Sequence, residues 1–577
     1  METAYTPPPT PVNIRSGLRP TVGDSSFPVI SQERRTFVDK SLLIAEVIDN
    51  ASVVSLILRP RRFGKSLNLS MLKTFFDLEE SGLNRVYFQD LLIERHRPDL
   101  FGWNGHFGQY PVVYLDLKDI RARTWSHMLN QIRGLLARTY TKFYYLLDSS
   151  ALDDCEKKYF DRICEKDKTL NMAELNMCLQ RLTEYLTRHH SQQCVVLVDE
   201  YDTPLQSAHP EGFYEDASLF FHSMFSMLLK GNGVNIYKAV LVGITHAAKS
   251  NLLSDTMIHT FKDYTFSDKF GFTSQEVGML LKVHQPKMDM EAVKSWYCGY
   301  RSAYDLALFN PWSIMCLCSS FGGIIQNYWV ESGSTARIIP LIASRGHHFK
   351  ESLSMLLGHR ISQNPIGIHL RVNDNLRYNL SLPKPEDEDI WTLLCFAGYL
   401  AMLKDGTFYI PNMEISIEWL DWVLPSVNPR YSFQNIVEHL ICGDILEFAR
   451  FLAEVVESSF SFFDGDGSSV VQTTQAFYNT FVLGIMVLGR DTGYDIESND
   501  EDGRFGVLLR PQQHLPRDSL GIILEFKNAR ETEDADVVAR QAFELIREKK
   551  DAKRFVDLEN VCEVGIGLKG KMCSVQF

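Results

Sequence analysis

Residues 59–66 read RPRRFGKS and lie between an apolar run, SVVSLIL at residues 52–58, and a stretch with helical periodicity. A strand, a tight loop ending in Gly-Lys-Ser and a helix, in that order, are typical of a phosphate-binding loop. In such a loop Lys65 reaches the outer phosphates and Ser66 coordinates Mg²⁺. The sequence therefore predicts a site for ATP and Mg²⁺. Its loop residues are Arg62, Phe63, Gly64, Lys65, Ser66 and Leu67.

One position departs from the Walker pattern G-x-x-x-x-G-K-[ST]. Where the pattern has its first glycine, this chain has Arg59. Arginine lacks the freedom of glycine at positive φ, and Pro60 follows, so we expect a stiffer and more cationic loop than usual. Because Gly-Lys-Ser also occurs by chance, a nucleotide site needs support from a second motif.

The second motif is CVVLVDEYDTP at residues 194–204. A continuous apolar run of this kind is typical of a parallel strand buried on both faces. At the carboxyl end of such a strand, Asp199 would hold Mg²⁺ opposite Ser66. Glu200 would orient and deprotonate the attacking water. Together the two motifs indicate a nucleoside triphosphatase much more specifically than either does alone.

A third apolar strand at residues 238–244 ends at Thr245. In a parallel sheet this end lies at the same edge as the other two motifs. Thr245 is therefore predicted to face the outermost phosphate as a sensor group. An ordinary core strand that simply ends at the surface is an equally good interpretation.

Composition is that of an intracellular globular protein, cytoplasmic or nuclear. The chain has 577 residues, of which 45% are apolar and 23% charged, enough for two or three domains. No apolar run approaches the roughly 18 residues of a membrane span. No signal peptide is visible, and the eleven scattered cysteines form no C-x-x-C pair. A net charge of −13 does not attract nucleic acid, so any such contact needs a local basic surface.

Several blocks resemble the AAA-ATPase-like family. They are FVDKS (37–41), LRPRRFGKSLNLS (58–70), VVLVDEYDTP (195–204), FGFTSQEV (270–277), WYCGYR (296–301), FNPWS (309–313) and NYWVESG (327–333). The similarity spans roughly residues 36 to 571. It implies a P-loop domain followed by a C-terminal nuclease-like domain of the PD-(D/E)XK type. Where the family has a basic residue after the third strand, this chain has His246, with Lys249 close behind.

The resulting prediction of fold class is α/β, with an AAA-like parallel sheet, a helical connector and a restriction-endonuclease-like domain. The boundaries are a disordered Pro-rich tail at 1–34, the ATPase domain at 35–268, a helical lid or connector at 269–435 and the nuclease-like domain at 436–577. The helices expected along the way include residues 172–190, 276–283, 290–297, 313–318 and 391–402.

The C-terminal domain carries a second possible chemistry in LGIILEFK at residues 520–527. Glu525 and Lys527 are two residues apart in a strand and so share a face. By the resemblance, Glu525 binds a divalent metal with Glu501, and Lys527 activates water. The family's second carboxylate ligand, however, is replaced by Gly506. Asp500 or Asp502 could substitute for it, but a solvated acidic loop explains that segment equally well.

The downstream helix also departs from the family pattern, because Leu545 stands where glutamine is usual. Gln541 would compensate only if the helix register shifted. The leading hypothesis is therefore Mg²⁺-dependent ATP hydrolysis coupled to a degenerate nuclease-like domain, with nucleic acid as a candidate partner of that domain. One alternative is a non-catalytic nucleotide-dependent switch or scaffold. The other is an active metal-dependent nuclease. Protein partners and oligomeric state do not follow from the sequence.

Overall fold

The computed structural model describes seventeen ranges or single residues of the chain. They are 11–17, 19–245, 256–303, 305–329, 349, 352, 356, 370, 386–403, 405–419, 433–461, 494–501, 504–512, 519–529, 532–549, 560–569 and 572–577. The chain divides into two compact units: residues 1–324 with 370–404, and residues 325–369 with 405–577. Within the described ranges, no helix is both long enough and apolar enough to cross a bilayer.

The first unit is a mixed α/β structure. Its strands are β1 (Ile14–Arg15), β2 (Phe37–Val38), β3 (Val54–Leu58), β4 (Val112–Asp116), β5 (Cys194–Asp199), β6 (Ile236–Gly243), β7 (Met257–His259), β8 (Phe272–Thr273), β9 (Cys298–Arg301), β10 (Ala307–Phe309) and β11 (Ala401–Met402). Its α-helices are α1 (Phe27–Gln32), α2 (Leu42–Asp49), α3 (Lys65–Phe76), α4 (Ser81–Asn84), α5 (Leu92–His96), α6 (Trp125–Thr141), α7 (Asp154–Cys164), α8 (Met172–His190), α9 (Thr203–Ala208), α10 (Tyr214–Leu229), α11 (Ser274–His284), α12 (Met290–Tyr297), α13 (Pro311–Ser319) and α14 (Asp387–Ala397). Short 3₁₀ helices cover Arg85–Phe88, Pro98–Phe101 and Tyr144–Asp148.

Five parallel strands form the central sheet of this unit in the order β4-β5-β6-β3-β7. The strands β3 and β5 are buried along their whole length, as both faces of the sheet are covered. The strand β6 separates them, with Leu58 of β3 opposite Gly243 of β6. All five carboxyl ends therefore meet at one edge. This sheet confirms the predicted P-loop fold class.

Local sequence signals define where the helices α8 and α3 begin. The predicted helix at residues 172–190 is α8, which begins after a capping box of Asn171 and Glu174. The helix α3 begins at Lys65 after Gly64, whose φ of 79° is a left-handed conformation that favours glycine. The second glycine of the Walker pattern is thus required by the backbone.

The predicted disordered tail is wrong for residues 11–17 and 19–34. The strand β1 pairs antiparallel with β2, and α1 places Phe27 and Ile30 in the core at 0% exposure. Pro28 lies in the first turn of α1, where a missing N–H costs no hydrogen bond. These apolar residues give the proline-rich segment a buried face. The number of prolines alone had suggested disorder. Residues 1–10 lie outside the described ranges.

The segment after residue 269 is more than a helical connector. The expected helices are present as α11, α12 and α13, but the helix expected at residues 391–402 is α14, which ends at residue 397 before the left-handed Gly398, and residues 401–402 form β11. The strands β8, β10 and β9 also form an antiparallel sheet. Phe63 of the phosphate-binding loop packs on this sheet against Tyr300 and Leu308. Residues after 268 therefore form part of the surroundings of the phosphate-binding loop. The four predicted domain ranges themselves stay a prediction.

The second unit contains a five-stranded sheet in the order β13-β14-β15-β16-β17. Its elements are β12 (Phe408–Tyr409), β13 (Tyr494–Glu501), β14 (Arg504–Pro511), β15 (Gly521–Asn528), β16 (Val561–Lys569), β17 (Met572–Gln576), α15 (Phe433–Ile441), α16 (Ile445–Ser461) and α17 (Ala535–Lys549). Only β15 and β16 are parallel, and α17 lies between them in the chain. Gly567 lets α17 approach β16 closely, because a Cβ atom there would lie 2.2 Å from the carbonyl oxygen of Ala535.

Candidate functional site

Four predicted site residues meet at the carboxyl edge of the parallel sheet. Lys65 and Ser66 open α3 directly after the loop that leaves β3, and Asp199 ends β5 with Glu200 next to it. The Ser66 hydroxyl lies beside the carboxylate of Asp199, whose pKa it lowers. The structure therefore brings the two halves of the predicted nucleotide site into contact.

Lys65 is buried beneath its own loop. Its Nζ donates to the carbonyl oxygens of Arg59 and Pro60, at 3.1 and 2.8 Å. Burial lowers the pKa of Lys65, and the negative charges of Glu200 and Asp199 act against this shift. The amine is therefore held inside the loop, beside the acidic end of β5.

Asp199 has the features of a cation ligand. It is 2% exposed, and burial raises its pKa to about 6, although the neighbouring Ser66 hydroxyl lowers it. Among the described residues, its Oδ1 atom has no hydrogen-bond partner. A buried carboxylate oxygen without a donor, next to a serine hydroxyl, fits a hard divalent cation such as Mg²⁺. The residues present thus fit the metal that the sequence predicted.

Glu200 adopts a strained backbone conformation with φ of 50°. Such values cost energy in a non-glycine residue and cluster at functional sites. Burial raises the pKa of Glu200, but the charge of Lys65 and a hydrogen bond from Thr203 outweigh it, so the pKa lies below its usual value. The Thr203 hydroxyl donates to Oε2 at 2.7 Å. Glu200 is therefore an oriented, ionised carboxylate.

Arg59, the residue that replaces the Walker glycine, is part of the core. It is 1% exposed, and its guanidinium donates to the carbonyl oxygens of Leu58, His259 and Phe266. Its guanidinium also lies 4.9 Å from the ring centroid of Phe261. Burial lowers its pKa to about 10. The expected cationic loop is therefore wrong in one respect, because this arginine holds the loop against His259 of β7 and Phe266 instead of facing the phosphate site.

The side chains of Arg62, Phe63 and Leu67 pack against other parts of the protein and not against the phosphate site. Arg62 has φ of 65°, and its guanidinium lies 3.9 Å from the ring centroid of Trp312. Phe63 is buried among aromatic rings, and Leu67 packs against the main core. These three residues can contribute to nucleotide binding through their backbone N–H groups, as Gly64 can.

Thr245 uses its side chain within the protein. Its hydroxyl and its backbone N–H both donate to Oδ2 of Asp202 at 2.7 Å. The loop that carries Glu200 is thereby tied to the end of β6. Sequence reasoning overlooked Asp202, although it follows Asp199 and Glu200 in the same motif. His246 and Lys249 lie outside the described ranges.

In the second unit, Glu525 faces Gly506. The two residues pair across β15 and β14, and a Cβ atom at Gly506 would lie 2.8 Å from Oε2 of Glu525. Glu525 is 4% exposed. The carboxylate therefore lies next to the position that an aspartate ligand would occupy in the family pattern.

Lys527 and Gln541 are in contact. The Lys527 amine donates to Oε1 of Gln541, which α17 supplies. Gln541, which the sequence analysis considered as a substitute for the usual glutamine, therefore lies beside Lys527. The two residues come together because α17 packs on the face of β15 that carries Lys527.

Glu501 lies further along the sheet than Gly506. In β13, Asn499 pairs with Gly506, whereas Glu501 pairs with Arg504. The pair of Glu501 and Arg504 thus lies two pairs beyond the pair of Asn499 and Gly506. Residues 497–501 of the acidic segment belong to β13, while the side chain of Glu501 lies outside the described part.

Comparison with known families confirms the resemblance. Residues 21–253 match the family described as "Predicted AAA-ATPase". Residues 474–577 match the PD-(D/E)XK nuclease superfamily. The chain therefore combines an AAA-ATPase-like domain with a PD-(D/E)XK nuclease-like domain.

Two further similarities accompany these matches. An uncharacterized protein encoded in the 5′ region of vnfD of Azotobacter chroococcum mcd 1 is 23% identical over 347 residues, which are 58% of this chain and 56% of the relative. The chain thus spans only about half of that protein's length. A signal transduction ATPase with numerous domains, carrying a tetratricopeptide repeat sensor, from Pyrococcus horikoshii, aligns over 83% of this chain and 57% of its own, at 10% identity and a TM-score of 0.22.

Proposed function

We propose that this protein binds ATP with Mg²⁺ and hydrolyses it at Lys65, Ser66, Asp199 and Glu200. The observation that supports this best is that Ser66 lies beside the buried Asp199 carboxylate and lowers its pKa, next to Lys65. A hydroxyl and a carboxylate at the carboxyl edge of a parallel sheet are the protein ligands that P-loop enzymes offer to Mg²⁺. The match to the AAA-ATPase-like family agrees with nucleotide binding.

Each residue has a distinct role in this proposal. Lys65 exchanges the carbonyls of Arg59 and Pro60 for the outer phosphate oxygens. Ser66 and Asp199 hold Mg²⁺, which neutralises phosphate charge when bound. Glu200 accepts a proton from the attacking water, and its lowered pKa keeps it ionised for that step.

Calorimetric titration with ATP and Mg²⁺ tests this proposal directly. The Lys65→Ala variant should lose measurable affinity, because it removes the buried cation beneath the loop. Lys158→Ala is the matched control, since Lys158 is exposed on α7. Equal affinity in the parent protein and in Lys65→Ala would overturn the proposal.

For the C-terminal domain, we propose a nuclease-like fold that contacts nucleic acid without efficient cleavage, coupled to the nucleotide state of the first unit. Gly506 supports this, because it contributes no side chain beside Glu525. Phosphodiester cleavage of this type needs a cation held by more than one carboxylate. Incubation of the purified protein with DNA and RNA in Mg²⁺ or Mn²⁺ tests this, and robust cleavage would favour the active nuclease instead.

A further inference from the structure

We propose that Asp202 is a positioning residue for ATP hydrolysis, which holds the loop of the general base Glu200 against the end of β6. This inference rests on the proposed ATPase function. It goes beyond that function because it assigns a role to a residue that the nucleotide-binding motifs leave without one. The role of Asp202 is to fix the place of the base, and not to contact the nucleotide.

The carboxylate of Asp202 is buried and accepts hydrogen bonds from the residues that follow β6. Asp202 is 1% exposed. Its Oδ2 atom accepts from the backbone N–H and the hydroxyl of Thr245, both at 2.7 Å, and from the backbone N–H of Ile244 at 3.2 Å. The side chain of Gln206 in α9 donates to the same oxygen at 2.7 Å. One carboxylate oxygen therefore joins the loop after β5 to the end of β6 and to α9.

Tyr201, the residue before Asp202, holds the loop against the same part of β6. Its backbone N–H donates to the carbonyl oxygen of Val242 at 3.2 Å, and its hydroxyl donates to the carbonyl oxygen of Thr245 at 2.6 Å. A Cβ atom at Gly243 would lie 2.6 Å from Oδ1 of Asp202 and 2.6 Å from the ring of Tyr201. Glycine at position 243 is therefore required for this close approach.

Glu200 lies directly before these two anchored residues, and its backbone is strained. A φ of 50° persists in a non-glycine residue only where the surrounding structure enforces it. On the other side of the anchored residues, the Thr203 hydroxyl donates to Oε2 of Glu200, and the Thr203 backbone N–H donates to the Glu200 carbonyl oxygen at 3.0 Å. The position of the Glu200 carboxylate thus depends on the segment that Asp202 ties down.

This arrangement affects hydrolysis more than nucleotide binding. A general base has to lie within hydrogen-bond distance of the attacking water, and a displacement of about 1 Å can cost roughly 100-fold in rate. The proposed ligands of the nucleotide and the metal, Lys65, Ser66 and Asp199, lie on α3 and at the end of β5, outside the anchored segment. Loss of the Asp202 carboxylate should therefore lower kcat and leave nucleotide affinity nearly unchanged.

The test compares Asp202→Ala and Asp202→Asn with Asp216→Ala, a change at an exposed aspartate on α10. We expect Asp202→Ala to lower kcat by about 100-fold while the Kd for ADP with Mg²⁺ stays within about 3-fold of that of the parent protein. Asp202→Asn keeps an acceptor oxygen in the same place and should recover most of kcat. Asp216→Ala should match the parent.

A double-mutant cycle tests whether Asp202 acts through Glu200. Asp202→Ala added to Glu200→Gln should slow turnover no further than Glu200→Gln alone, because a positioning residue has no effect once the base is gone. If both substitutions slow turnover by independent factors, Asp202 does not act through Glu200 and the proposal is overturned.

The outcomes separate this inference from the proposed function. If the parent protein binds no ATP, the proposed function fails and this inference fails with it. If the parent hydrolyses ATP and Asp202→Ala keeps the parental kcat, only the role of Asp202 is overturned. Equal loss of kcat and of ADP affinity would make Asp202 a structural residue and would also overturn the proposal.

A milder variant decides the question if Asp202→Ala does not fold. Gln206→Leu removes one donor to Asp202 from a partly exposed position on α9. It should lower kcat by at least about 3-fold at parental ADP affinity, because the carboxylate is then held less firmly. A parental kcat in Gln206→Leu would overturn the proposal.

Discussion

Gly506 and Glu525 are cross-strand partners in β14 and β15, and a Cβ atom on Gly506 would meet the Glu525 carboxylate at 2.8 Å. The contact is with the end of a rotatable side chain, so a larger residue at 506 displaces a carboxylate and leaves the backbone in place. An aspartate introduced there would lie directly beside Glu525. The fold therefore still accommodates a two-carboxylate cation site.

The first prediction follows from that pair. Gly506→Asp should raise Mn²⁺ affinity and produce or increase metal-dependent cleavage of DNA or RNA, because two adjacent carboxylates share one cation. Calorimetry with Mn²⁺ and a nuclease assay measure this. Gly506→Asn, with the same shape but no charge, is the control.

One outcome of the nuclease assay would contradict this prediction. If the unmodified chain cleaves nucleic acid with Mg²⁺ or Mn²⁺ and Glu525→Ala abolishes the activity, another side chain supplies the second ligand. The domain would then be a working nuclease.

The second prediction concerns Glu200. Glu200→Gln should retain ATP but turn it over at least about 100-fold more slowly, since the amide keeps the shape of the side chain and cannot accept a proton. Single-turnover assays and the amount of ATP that remains bound after gel filtration measure this. Unchanged turnover would show that Glu200 is not the base.

The third prediction tests the packing role of Arg59. Arg59→Gly restores the Walker pattern, yet it should lower the melting temperature by roughly 5–10 °C, because three carbonyl partners and a cavity are left behind. Differential scanning calorimetry of the whole chain measures this.

The matched control makes the same change three positions later. Arg62→Gly should shift the melting temperature by less than about 2 °C, because glycine relieves the strain of φ at 65° while a cation–π contact is lost. Equal destabilisation by both substitutions would refute the assignment of Arg59 to the core.

The fourth prediction concerns a buried ion pair, in which Lys40 Nζ contacts Oε1 of Glu276 at 2.7 Å. Lys40→Met leaves the Glu276 charge buried and should destabilise the unit by about 3–5 kcal/mol. The double variant Lys40→Met with Glu276→Leu should regain much of that loss. Additive effects in a double-mutant cycle, measured by urea unfolding, would mean that the pair is not coupled.

The sequence alone determined those features that depend on local patterns. The order of strand, loop and helix around Lys65, the position of Asp199 at a strand end, and the shared face of Glu525 with Lys527 follow from strand and helix periodicity. The bounds of α8 followed as well, because its apolar residues and its cap lie within a single segment.

Tertiary structure alone decided what each side chain contacts. Arg59 and Arg62 differ because one meets the carbonyls of His259 and Phe266 and the other meets Trp312, all of them far away in the chain. The contact between Lys527 and Gln541 likewise depends on how α17 packs on β15. Such contacts join segments distant in sequence, and packing, which no local pattern encodes, determines which of them meet.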